Sequence, residues 1–341
     1  MIIKILRNGR CVYNTRVSDQ RFKTNEKKCK KLVVSSTVMV VTSDDLFSHD
    51  LQLSSADILL FAVVGPVLLI IRAVLAGVYL VVGYSLGLLG YFVLLRNTDL
   101  ESRPLSEQGC VPDSLQQFIW LLCGRGILYL LGFRITVKGR QASRSEAPIL
   151  VIGPHTSFLD VLVVCLCRSS PVARRETWSR WWRPEKIWDL AEQIIQSIFV
   201  RRSSGPSRRR TTTKIISRAR STLPWPQISV FPEGSTSNGS ALARFMSGAF
   251  RPGVPVQPVT IQYSRPELFI WTFNQSHSAL YSLLMIFMNP CNQVTITFLP
   301  VYTPTQQEKD DSFLFADNVQ KVIGDHLEIP CTDLKPPLNL K

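Results

Sequence analysis

Ile149-Leu150-Val151-Ile152-Gly153-Pro154-His155-Thr156-Ser157-Phe158-Leu159-Asp160 is the stretch that decides the fold. Its first five residues form a short apolar run, the pattern of a strand buried on both faces. Gly153-Pro154 ends the run, and residues 158–168 read as the helix that follows. Outward from here the texture repeats. Residues 135–138, 198–200, 228–231, 254–263 and 294–302 read as strands, and 208–222 and 312–326 as helices. Strands interleaved with helices predict an α/β fold, a mixed sheet covered by helices. No internal repeat is visible, and the Ser/Gly/Pro/Arg-rich segment 201–210 reads as a loop.

Upstream the composition changes. Residues 58–95 carry one charge, Arg72, which is too apolar for the surface of a soluble domain. As a single helix, 56–95 would be roughly 60 Å long, about twice a bilayer core, so it must bend, tilt or return to the side it entered. Ten Lys or Arg fall within residues 1–31, and the domain after the block is basic too. The positive-inside rule puts both flanks in the cytosol, which favours a re-entrant hairpin over a single span. Gly65-Pro66 and the glycines at 77, 83, 87 and 90 are the candidate turning points. Gly83 and Gly87 also have the spacing of close helix packing, which chance placement explains nearly as well. Residues 115–133, with Arg125 in the middle, read as an interfacial or domain-packing helix. The expected organisation is a basic arm over 1–50, a membrane anchor over 51–95, linking helices over 96–134, a catalytic domain over 135–330 and a tail over 331–341.

A net charge of +14 points to anionic partners. The apolar block favours membrane lipids, and no nucleic-acid-reading motif is present. The eight cysteines are scattered, with only Cys165 and Cys167 close together, which suits reduced thiols facing the cytosol and offers no paired zinc ligands. No metal site is expected.

His155 falls at the strand-to-helix turn, where a side chain can reach a substrate. A neutral imidazole there can take the proton of an attacking alcohol, help worth about 10²–10⁴-fold in rate. Asp160, five positions on, can hold the ring tautomer and stabilise the imidazolium. Ser157-x-x-Asp160 reads equally as a helix capping box. The second chemical stretch, Ile228-Ser229-Val230-Phe231-Pro232-Glu233-Gly234-Ser235, is an apolar strand entering a polar turn. It places a carboxylate and backbone N–H groups at a strand end, although Pro-Glu-Gly is also ordinary turn punctuation.

Together these stretches resemble the glycerolipid acyltransferase family, with its His-x4-Asp and Phe-Pro-Glu-Gly motifs. Two further blocks fit in order: Ile198-Phe199-Val200-Arg201-Arg202 and Val254-Pro255-Val256-Gln257-Pro258-Val259. Over residues 135–327 the chain looks most like the lysophosphatidylcholine acyltransferase branch, through Trp225-Pro226-Gln227-Ile228, Gly248-Ala249-Phe250 and Phe298-Leu299-Pro300-Val301-Tyr302. It ends before any EF-hand loop.

The resemblance implies acyl transfer from acyl-CoA, as co-substrate and with no cofactor, to the sn-2 hydroxyl of a lysophospholipid. Lysophosphatidylcholine or lysophosphatidylethanolamine is favoured as the acceptor, with lysophosphatidic acid as the alternative; an inactive membrane lipid-binding protein is the alternative of another class. It makes His155 the general base and Asp160 its orienting partner. Arg202 would grip the acceptor phosphate, Phe231, Pro232, Glu233, Gly234 and Ser235 would line the acceptor site, and Pro258 would shape the acyl side. The implied location is the endoplasmic reticulum membrane with the catalytic domain facing the cytosol, the Golgi and lipid droplets being alternatives.

Several residues depart from the pattern. Gln196 stands where the family's second block opens with glycine, Ser235 replaces the usual threonine, and Met246-Ser247 stand where the branch often has lysine. Four tryptophans lie among arginines over 178–188, a composition suited to a membrane interface. Arg208-Arg209-Arg210 could meet the phosphates of CoA, meet anionic lipid, or form a solvated helix start. Oligomeric state is not legible.

Overall fold

The computed structural model describes residues 5–7, 10–12, 42–90, 104, 122–174, 196–200, 205–272, 274–275 and 278–336. Seven strands among them form one sheet: β1 (Phe133–Lys138), β2 (Ile149–Gly153), β3 (Ser170–Arg174), β4 (Ile198–Val200), β5 (Ile228–Val230), β6 (Val256–Tyr263) and β7 (Asn292–Phe298). Their order is β1-β7-β6-β2-β5-β3-β4. Only the β6–β7 pair is antiparallel. The sheet is therefore mixed, and helices lie on it as the alternating pattern predicts.

Strand β2 shows why the opening stretch reads as it does. Leu150 and Ile152 enter one hydrophobic core, with Val163 and Val164 of helix α3 (Asp160–Leu166). Ile149 and Val151 enter the other, with Ile215 of α4 (Gly205–Arg220) and Val319 and Ile323 of α6 (Ser312–Leu327). Both faces are covered, so the run has no polar alternation.

Strand β3 and helix α5 (Ala279–Met288) are among the elements not foreseen. Strand β3 begins Ser-Pro and contains Arg174, so it lacks an apolar run. Helix α5 is apolar on nearly every face and shows no 3.6-residue period.

Among the described residues, the hydrophobic block holds two helices, α1 (Ser55–Val63) and α2 (Gly65–Gly90). They part at Val64, just before Gly65-Pro66, while α2 runs unbroken through the other glycines. At 1.5 Å per residue it is about 39 Å long, and its segment Gly65–Gly83 is long and apolar enough to cross a bilayer. Of the 115–133 patch, residues 122–130 are helical, first as a π turn. Ahead of α1, residues 42–53 lie against the sheet domain. Leu46 and Phe47 pack with Ala241 and Ala243, and Asn238 donates to the carbonyls of Asp45 and Ser48.

Candidate active site

Strands β2 and β5 are parallel neighbours with Val151 opposite Val230. Their C-terminal ends, and the two turns carrying the chemical residues, therefore lie side by side. His155 is partly buried, and Nδ1 lies 2.8 Å from Asp160 Oδ2. That oxygen also accepts the backbone N–H groups of Thr156 (2.9 Å) and Ser157 (3.0 Å). An ionised carboxylate facing Nδ1 makes that nitrogen the protonated one, which leaves the Nε2 lone pair for a substrate.

The capping-box reading is half realised. Asp160 reaches back to the N–H of Ser157, but the Ser157 hydroxyl accepts from Leu159 at 3.2 Å rather than from Asp160.

Glu233 has no exposed surface. One carboxyl oxygen accepts the N–H of His155 at 2.7 Å; the other accepts the N–H of Ala243 at 3.2 Å and lies 3.4 Å from the Ser237 hydroxyl. Burial pushes this carboxyl up to about 8, against hydrogen bonds that pull it down. The second motif thus braces the backbone of the first. Phe231 stacks on the imidazole with ring centroids 4.1 Å apart. Pro232 is buried and its carbonyl accepts the N–H of Met246 at 2.8 Å. Gly234 closes the turn onto the Phe231 carbonyl with φ +77°, a conformation that costs other residues about 1–2 kcal/mol. Ser235 follows, partly exposed.

His155, Asp160 and residues 231–235 are therefore brought together. Pro258 is buried within β6 opposite Val151, two register positions back from the strand end at Gly153. Arg202 and the tryptophans of 178–188 lie outside the described residues. Arg208, Arg209 and Arg210 are exposed on the first turns of α4.

Two contributors were missed. The Tyr263 hydroxyl, at the end of β6, donates to Asp160 Oδ1 at 2.6 Å from 103 residues away. Burial, and then the Asp160 charge, hold that phenol well above its usual pKa, so it stays a donor. Ser237 donates its N–H to the His155 carbonyl at 2.8 Å. Neither carries a local signal, since each depends on where a later segment returns to the sheet. The Gln196 departure also acquires a meaning. Its φ is +51°, a left-handed conformation in which glycine is unstrained.

Residues 134–262 match the family model described as Acyltransferase. Lysophosphatidylcholine acyltransferase 1 of Homo sapiens is 37% identical over 290 residues, covering 84% of this chain and 52% of that protein. The lysophosphatidylcholine acyltransferase of Drosophila melanogaster is 36% identical over 295 residues, covering 84% and 52%. The chain thus spans about half the length of the curated relatives it matches. The crystal structure of the 1-acyl-sn-glycerophosphate acyltransferase from Thermotoga maritima aligns with a TM-score of 0.49 and 18% identity over 77% of this chain and 96% of that one.

Proposed function

We propose that this chain, whose residues 134–262 match the acyltransferase family model, is a membrane-bound lysophospholipid O-acyltransferase of phospholipid remodelling. Acyl-CoA is the donor in this reading, and the sn-2 hydroxyl of lysophosphatidylcholine or lysophosphatidylethanolamine is the acceptor. The carrying observation is the His155–Asp160 pair, with Nδ1 held by a carboxylate and Nε2 left for the acceptor. The names of the relatives support the acceptor class.

In the reaction, Nε2 takes the acceptor hydroxyl proton as the oxygen bonds to the thioester carbonyl carbon. The resulting imidazolium is stabilised by Asp160. When the tetrahedral intermediate collapses, the carbon–sulfur bond breaks and the imidazolium proton passes to the departing thiolate, giving CoA and restoring neutral His155. Phe231 fixes the ring plane, and Glu233 fixes the backbone beneath it. Arg202, by the family resemblance, is the acceptor-phosphate ligand in this reading. The membrane is that of the endoplasmic reticulum, with the site on its cytosolic side.

The test is acyl transfer by membranes expressing the chain, given labelled oleoyl-CoA and a panel of lysophosphatidylcholine, lysophosphatidylethanolamine and lysophosphatidic acid. Transfer to the first two should dominate and fall by about 10²–10⁴-fold in His155→Ala. Transfer only to lysophosphatidic acid would reassign the acceptor. No transfer to any acceptor would leave a lipid-binding protein.

A further inference from the structure

Helix α2 carries a charge inside its apolar run, and the structure shows where that charge goes. Arg72 is 8% exposed. One guanidinium nitrogen donates to the carbonyls of Asn289 (2.6 Å), Phe287 (2.9 Å) and Ile286 (3.4 Å), and the other to that of Pro290 (3.0 Å). These carbonyls lie at the C-terminal end of α5, where helix carbonyls lack partners and the dipole favours a cation.

The seat is tight. A side chain on Gly132, already at φ +76°, would collide with the guanidinium. One turn pair earlier Gly65 lies against Met288, and one later Tyr79 lies against Gly126. Positions 65, 72 and 79 form a single stripe at heptad spacing, so α2 is fastened along one line to the catalytic domain. Its other faces are bare: Ile70 is 65% exposed and Val81 65%.

Helix α5 shares that bareness. It has no Asp, Glu, Lys, Arg or His from Ala279 to Met288, and Leu280 is 65% exposed, with Tyr281 and Leu283 also exposed. A soluble domain seldom leaves such a helix open to water beside another apolar one. A charge supplied with backbone carbonyls, as Arg72 is with four, is the form in which arginine is tolerated in hydrocarbon.

We propose that α5 is a second lipid-embedded element, contributed by the catalytic domain itself and locked beside α2 by Arg72, so that Leu280, Tyr281 and Leu283 contact bilayer acyl chains. The occupant is lipid because this face is continuous with the outer face of a helix able to span a membrane. The inference rests on the membrane-bound reading above. It adds that the acyltransferase domain meets the bilayer through α5, which fixes the domain's orientation to the surface.

The full chain is reconstituted in phosphatidylcholine vesicles containing a diacyl phosphatidylcholine with a diazirine on one acyl chain. After irradiation, lipid adducts are mapped on peptides. Adducts are expected on residues 65–83 and on 279–288, and not on Phe313 and Leu314, which are exposed and apolar on α6. In L280D/L283D the yield over 279–288 should fall at least about tenfold, while α2 stays labelled. Labelling of α2 without α5 would overturn this inference alone. Equal labelling of Phe313 and Leu314 would overturn it too, by showing a contact without orientation. Absence of label from α2 as well would remove the membrane-bound reading beneath it.

Discussion

At the scale of the residue, Asp160 is the most heavily engaged group in the site. One oxygen takes the imidazole and two backbone N–H groups, and the other takes the Tyr263 hydroxyl. In the proposed reaction this fixed carboxylate stands where it steadies the imidazolium during proton transfer. Tyr263→Phe removes one donor at almost constant volume. It should lower kcat about tenfold and leave the acceptor KM within about twofold, because the loss arises when His155 is charged. Steady-state kinetics with the acceptor varied would check it, and a rise in KM with unchanged kcat would place Tyr263 in acceptor binding instead. Met246 gives a second prediction at this scale. It is exposed and hydrogen-bonded through its N–H to Pro232, where the resembled branch often carries lysine. Met246→Lys should lower the KM for an anionic substrate several-fold at low salt, and the gain should fade as salt is raised, since an exposed cation acts through a screened field. A gain independent of salt would mean that packing changed instead.

The element scale shows why some parts were legible and others not. Strands β2 and β5 announce themselves because an apolar run cut off by glycine or proline has few other solutions. The turns after them were legible as chemistry because polar residues follow directly. Strand β3 and helix α5 were not, the one lacking an apolar run and the other lacking a polar face. Tyr263 was invisible for a different reason. Its partner is set by the order in which strands join the sheet, and β6 lies beside β2 although most of the domain separates them in sequence. Gln196 could be flagged only as a departure from a resembled pattern; its φ of +51° gives the physical reason a glycine suits the turn into β4. Gln196→Gly should relieve about 1–2 kcal/mol of left-handed strain and give back about 0.5–1 kcal/mol in unfolded-chain entropy. The net expectation is a thermal midpoint equal to or slightly above that of the parent. A marked drop would show that the buried Gln196 side chain contributes more than its backbone costs.

For the whole molecule, two buried carboxyls make stability depend on pH in opposite directions, and their windows do not overlap. Burial pushes Glu233 up to about 8 from an ordinary value of 4.5. Between those values the folded chain holds a proton that the unfolded chain has released. Its contribution is therefore complete below about 4.5 and is lost as pH rises through 8. Glu308 behaves in reverse. Burial acts to raise it, but hydrogen bonds from Asn318, Tyr302 and Thr305 prevail and hold it at about 2. Its contribution is present above 4.5 and is lost as pH falls through 2. Unfolding free energy should thus decline on both sides of mildly acidic pH. The alkaline limb belongs to the brace under His155, and the acid limb to the short helix Gln306–Asp310 before α6. Glu233→Gln should flatten the alkaline limb and leave the acid one, with a pH-independent offset because an amide cannot accept from both His155 and Ala243. Glu308→Gln should do the converse. Denaturant unfolding of each variant across pH 3–9, as a difference from the parent, isolates the two slopes. If the parent and Glu233→Gln curves run parallel from pH 5 to 9, the carboxyl beneath the catalytic turn is ionised throughout, and two charges rather than one stand beside the imidazole.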